Sequence, residues 1–212
     1  MNDPPVADAD RRSPLLRADW QYIEKVSIEA FRAADWELLD RQRSEYHAEE
    51  QARQVLRMLV ASSGDTSFGY LVNNYRHCLQ SATLAMRDGL DDEDIVVSLL
   101  HDIGFVTCPE MHGEFAAALL GAYVSDRNAW MLCNHAVFQN FHCHDLARVD
   151  RNARECWRGH PHFEWTATFV ARYDAAAIDP SYDCAPIEVF EPLVKRIFSR
   201  VPRQRPEIME AG

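Results

Sequence analysis

The sequence predicts an all-α fold built as a single domain. Two observations lead there. Apolar residues recur at three- and four-residue spacing through successive segments, as they do on the buried face of a helix. No segment sustains the apolar–polar alternation of a half-buried strand, and no strand–glycine–helix unit for a dinucleotide is present.

Residues 1–15 are acidic and proline-containing and are expected to form a flexible lead-in. A helical extension is expected over residues 16–66. Its first helix should start near Asp19, where Tyr22, Ile23, Val26, Ala30 and Phe31 make one apolar stripe. Its second should run from about Asp35 to Val60 with room for one break, charged early and apolar late through Val55, Leu56, Leu59 and Val60. The stretch ASSGDTSFG, 61–69, has loop chemistry.

A core is expected over residues 67–178. Its first helix should span 70–88 and stop at Gly89, a natural C-cap. Asp91 or Asp92 can cap the next, which is apolar from Ile95 to Leu100, should lie centrally and ends by Gly104. After a loop with Cys108 and Pro109, another helix begins at about His112. Ser125 can cap the one that carries Trp130, Met131, Leu132, Cys133 and His135. Residues 140–160 have no regular pattern, and a helix from about Pro161 carries Phe163, Trp165, Phe169, Val170 and Tyr173. Residues 179–212 hold a last helix set up by Pro186, with Pro192 as a local kink, and a tail.

Composition narrows the function classes. A chain of 212 residues, 47% apolar and 26% charged, is large enough for one well-buried core. A net charge of -11 repels nucleic acid and anionic lipid, so neither is an expected partner. Six cysteines without a CxxC pair argue against a zinc ribbon and for free thiols. The first residues do not read as a signal peptide, and no apolar run approaches the roughly 18 residues of a membrane helix. A reducing cytoplasm is the expected location, and the oligomeric state is left open.

His101 and Asp102 are adjacent at the end of the apolar helix. Neighbours on a helix point about 100° apart, so both reach one metal only if it sits beyond the helix end or over its shoulder. His77 and Asp174 join them as candidates, giving mixed nitrogen and oxygen ligands suited to iron, manganese, zinc or cobalt. His112 and His135 can complete a second metal position, with Asp102 bridging. An isolated His-Asp dipeptide says little by itself, and a lone residue such as His47 is ordinarily a surface side chain. A buried, unpaired Asp102 would be costly. From the residues alone, a metal centre and a set of satisfied core side chains both stay open.

Over residues 68–178 the sequence resembles the HD-domain superfamily. The resemblance rests on His77, His101 with Asp102, His112, His135 and Asp174, in the contexts HCLQSA, LLHDIG, HGEFAAALL and RYD. It implies an HD-type helical domain with added N-terminal helices. It also implies a dinuclear centre with these six residues as ligands and Asp102 as bridging, catalytically essential carboxylate. Six-ligand HD proteins divide into metal-dependent phosphohydrolases and oxygenases that use a mixed-valent Fe(II)/Fe(III) pair. The LQSA after His77, the helix from His112 and the Trp130–His135 stretch look most like the phosphonate-cleaving oxygenases, relatives of myo-inositol oxygenase.

The resemblance therefore implies two iron ions and dioxygen, acting on a C–C or C–P bond of a small polar or anionic, hydroxylated substrate. Its alternatives are a phosphohydrolase using Mn, Co, Mg or Zn on a nucleotide or phosphomonoester, and a metal-binding module without turnover. Expected substrate contacts are Tyr70, Asn74, Phe105, Gln139, Arg158 and His160. The sequence departs from the oxygenase pattern at Ser67 and Tyr70, where a Tyr and a Glu are usual. It departs again at Phe105, often polar or basic, and at Gln139, usually a lysine. Arg76, Arg151, Arg154 and Arg172 are further candidates for holding an anionic group. Trp157, Phe163, Trp165 and Tyr173 either pack the core or line a pocket, and in the latter case would suit a quaternary amine. His142 and His144 are read as lying behind the ligands, on the pocket wall or at the surface.

Overall fold

A computed structural model describes residues 18–203 of the chain, with every side chain in that range but Glu49. The expected flexible segment 1–15 and the last part of the tail lie outside the described residues. The protein is all-α, with no strand among the described residues. It divides into two compact units, Met1–Glu50 and Gln51–Gly212. The expected extension was placed over 16–66, so the two divisions differ.

In the first unit, the helix expected near Asp19 does not form. Residues 18–27 are turn and extended chain, followed by a single 3-10 turn, Ile28–Ala30. The stripe that suggested a helix is largely unburied: Tyr22, Val26 and Ala30 are exposed. A side chain has captured this backbone instead. Gln42 accepts from the Gln21 amide at 2.9 Å and donates to the Gln21 carbonyl at 3.0 Å, as a neighbouring strand would. Trp20 meets Tyr46 edge-on, with ring centroids 5.8 Å apart.

Helix α1, Ala33–Ala61, is one unbroken element rather than a broken pair. Asp35 fixes its start by accepting from the Arg32 amide at 2.6 Å. From Gln51 onward α1 belongs to the second unit, where Ala52, Val55, Leu56 and Leu59 enter the core on one face.

The rest of the second unit follows local chemistry closely. Asn73 caps α2, Asn74–Arg87, by accepting from the Arg76 amide, and its own amide ties down Ser63 and Asp65. The helix therefore starts about a turn later than the expected residue 70. Phe68 and Gly69, at φ 53° and 114°, hold the preceding loop out of a helix. Gly89, at φ 75°, ends α2 in the left-handed conformation that glycine tolerates. Asp91 caps α3, Asp92–Leu100, and every residue from Asp94 to Leu100 is buried. This helix stops at Leu100, before the expected Gly104, and turns carry the chain onward.

Next come α4, His112–Leu120, and α5, Asp126–Gln139, the latter capped by Ser125. Short 3-10 turns, Asn140–His142 and Ala153–Trp157, interrupt the irregular stretch. Helix α6, Phe163–Phe169, runs directly into a π turn, Val170–Asp174. Helix α7, Ile187–Phe198, begins after Pro186 and contains Pro192.

Helix α3 packs against α2 and α7, and α4 against α5. A buried polar junction locks several of them. Asn128, fully buried on α5, donates to Glu93 and Asp94 of α3 at 2.9 and 2.8 Å and accepts from Trp165 of α6 at 2.8 Å. Arg127 pairs with Asp94, and Arg200 with Glu93. No helix among the described residues is long and apolar enough to cross a membrane.

Candidate metal centre

The centre is assembled from the middle of α2, the end of α3, the start of α4, the last turns of α5 and the π turn. All six expected ligands meet there. Their imidazoles share one device: each gives its Nδ1 to a backbone carbonyl. His101 reaches Ser98, His112 reaches Pro109 and His135 reaches Leu132, each three residues back and at 2.8 Å. His77 reaches across the fold to Ala177 at 3.1 Å. A carbonyl oxygen only accepts, so each Nδ1 carries a hydrogen, and a ring in its neutral form presents a bare Nε2 lone pair. Bracing of this kind fixes the tautomer and aim of metal-bound histidines.

The Nε2 atoms converge on two carboxylates. The two oxygens of Asp102 face different ways. Oδ2 lies 3.5 Å from His77 and 3.7 Å from His101. Oδ1 lies 3.1 Å from His135 and 3.3 Å from His112. Asp174 adds Oδ1 to the first group, 3.6 Å from His77 and 3.8 Å from His101. The ligand atoms of His77, His101 and Asp174 all lie within 4.8 Å of one another, as do those of His101, Asp102 and His135.

The π turn sets Asp174. Its i to i+5 hydrogen bond, from the Ala175 amide to the Val170 carbonyl at 2.8 Å, widens the helix at the ligand. Inserted π turns of this kind recur at functional sites. Gln139, on the last turn of α5, donates to Asp174 Oδ1 at 3.2 Å, and Asn74 steadies the turn after α3 by donating to the Asp102 carbonyl at 2.9 Å.

The electrostatics are compatible with a cation site. Asp102 and Asp174 are almost fully buried. Burial pushes both carboxyls up, but the surrounding histidines outweigh it, holding Asp102 well below the usual carboxylate range and lowering Asp174 as well. Burial lowers His101, yet the two carboxylates overcome that and raise it to about 9. Burial and the neighbouring His101 lower His77. Asp174 Oδ2 is buried without any hydrogen-bond partner, an expensive state that a cation would relieve. Four braced nitrogens, two buried carboxylates and an orphaned oxygen fit a metal pair. The donor set of imidazole and carboxylate suits first-row transition metals.

A cavity of about 270 Å³ opens on the centre, with His77, Asp102 and Asp174 at its surface. Of the expected substrate contacts, Tyr70, Asn74, Phe105 and Gln139 line it. Arg158 and His160 do not. Arg158 is taken up by Glu155, at 2.7 and 2.6 Å, and lies over Phe163, while His160 stacks on Trp130 at 4.2 Å. The other arginines are engaged as well: Arg76 with the Tyr182 carbonyl, Arg151 with that of Phe141, and Arg172 with Asp88. Phe163 and Tyr173 are buried in the core, and Trp157 and Trp165 pack against it.

The cavity wall also contains His142, for which the pocket wall was one of the expected places, and Phe68 and Ile178, which carried no ligand-like pattern in the sequence. The Ala177 carbonyl, a backbone group, had no sequence signal at all. Neither a known family model nor a curated protein matches this chain.

Proposed function

We propose that the chain is a dinuclear-metal enzyme of HD type, an iron-dependent oxygenase that uses dioxygen to cleave a C–C or C–P bond in a small hydroxylated substrate. One observation carries the dinuclear reading: the two oxygens of Asp102 address two different sets of histidines. A carboxylate so placed would suit two ions, one at each oxygen. The choice of an oxygenase rests on the resemblance of the sequence around His77, His112 and Trp130–His135 to that branch.

His77, His101 and Asp174 would hold one ion and His112 and His135 the other, with Asp102 shared. When bound, such an iron pair supplies electrons for dioxygen and a Lewis-acid seat for a substrate hydroxyl. The protein supplies the rest. The four backbone carbonyls keep the imidazoles aimed. Gln139 and Asn74 steady Asp174 and the turn that bears Asp102. Phe68 and Phe105, 6.2 Å apart, form an apolar wall that limits water near the reacting carbon. The free thiols of all six cysteines suit a reducing compartment such as the cytoplasm.

The test is to express the protein with iron, quantify bound metal, and record low-temperature EPR as isolated and after mild ascorbate. The proposal expects a signal with all principal g values below about 2, from a coupled Fe(II)/Fe(III) pair. Two bound metals with no such signal in any redox state, together with phosphomonoester hydrolysis by the Mn or Co form, would replace it with the hydrolase reading.

A further inference from the structure

The cavity above the metal centre is unusual in what it lacks. Among the described residues, no lysine or arginine lines it. In the irregular stretch, Arg151 donates to the Phe141 carbonyl and Arg154 lies over the Phe141 ring at 3.6 Å. His142, also on the wall, has its imidazole pKa lowered by burial and then by the positive Arg154. A phosphate or carboxylate projecting away from the metals would find no cation here. Recognition of such groups ordinarily relies on arginine or lysine.

The mouth is apolar instead. Phe68, Tyr70 and Ile178 line the cavity yet are 68%, 58% and 46% exposed. Leu71, beside them in sequence, is 80% exposed. Exposed apolar surface gathered at a cavity is a mark of ligand binding rather than of ordinary protein surface. Phe68 also sits at φ 53°, a conformation that is rare and strained for a bulky residue. A backbone that keeps an aromatic ring at a cavity mouth against its own preference has a local reason to do so. The cavity is also small, below the roughly 300–1,000 Å³ common for drug-sized ligands, which leaves a long substrate to extend over the mouth.

We propose that the substrate is amphipathic: a hydroxylated head seated at the metals and an uncharged apolar tail lying along Phe68, Tyr70 and Ile178. This rests on the metal-centre reading above and adds the substrate class to it. It excludes nucleotides and compounds with a second anionic group.

The test uses the iron-loaded full chain, with metal content measured first, and calorimetric titration with 2-hydroxy acids. Glycolate, 2-hydroxybutanoate and 2-hydroxyhexanoate share one chelating head and differ in tail length. Affinity should rise about three- to fourfold for each added methylene. The matched pair 2-hydroxyhexanoate and 2-hydroxyadipate, alike in chain length, should differ at least tenfold in favour of the uncharged tail. Phe68→Ala and Ile178→Ala should lower affinity for 2-hydroxyhexanoate several-fold more than for glycolate and so flatten the chain-length dependence, which a folding defect would not do. Equal affinities along the series, or tighter binding of 2-hydroxyadipate, would overturn the inference while the metal centre stood. A chain that takes up no metal would overturn both.

Discussion

His77 and His101 face each other Nε2 to Nε2 at 3.1 Å, while each commits its Nδ1 to a backbone carbonyl. Two lone pairs do not rest at that distance unaided. A positive charge belongs between them: a proton, which Asp102 and Asp174 favour on His101, or a metal ion. Two nitrogens on one metal at about 2 Å each lie roughly 3 Å apart, so the spacing fits a pair of metal ligands as well as a shared proton.

Metal uptake should therefore stabilise the fold. Burying two carboxylates and four imidazoles is costly without cations to match them. At a free metal concentration of 100 times Kd, binding adds about 2.7 kcal/mol. Thermal unfolding of the iron- or manganese-loaded chain should occur several degrees above that of the chelator-treated chain. Superimposable unfolding curves would show that no ion binds the native state.

The two ligand groups should separate on mutation. His112→Ala removes a nitrogen that faces Asp102 Oδ1, on the side away from Asp174. It should lower the metal content from two per chain to about one, as should His135→Ala. His77→Ala touches the other group and should deplete the other ion. Metal analysis checks this, and full retention of both ions in His112→Ala would remove that residue from the ligand set.

Gly113 sets how closely α4 and α5 approach at the centre. A Cβ there would lie 2.7 Å from the Leu132 carbonyl, the acceptor that braces His135, and 3.2 Å from that of Cys133. Gly113→Ala should destabilise the protein by about 1–3 kcal/mol despite alanine's better helix propensity, because backbone cannot yield as a side chain can. It should also weaken the ion held by His112 and His135. Gly64→Ala, with nothing within 4 Å, is the control and should change neither. Denaturant unfolding and metal analysis of the two variants provide the comparison.

Asn128 should matter to the fold and not to the metals. Asn128→Ala leaves Asp94 and the Trp165 indole short of partners inside the protein. The expected loss is about 1–3 kcal/mol in unfolding free energy, with two metals still bound. Loss of metal at full stability would mean that this junction is coupled to the centre in some other way.

What could be read in the sequence was local. Asp91, Ser125 and Gly89 mark helix ends because a cap acts over three or four residues. The spacing of His77, His101, Asp102, His112, His135 and Asp174 could be noted as a pattern, and the fold brings them together. Their aim could not be foreseen, because it depends on carbonyls of Ser98, Pro109, Leu132 and Ala177, and a carbonyl has no residue identity. The π turn at Asp174 was hidden for a similar reason. The N-terminal stripe misled because Gln42 holds the Gln21 backbone extended, a contact that periodicity does not report. Arg158 was expected near substrate as a cation for an anionic group and His160 as its neighbour, and the irregular stretch takes them to Glu155 and Trp130 instead.

The central claim is that Asp102 joins two metal ions in one centre. Its most direct test is the metal stoichiometry of the purified full chain and of Asp102→Ala, measured by mass spectrometry after identical loading, with circular dichroism to confirm the fold. The account predicts two ions per chain in the unaltered protein and loss of most of both in the variant, with helicity retained. Two ions held equally well in Asp102→Ala, or a single ion in the unaltered protein, would contradict it.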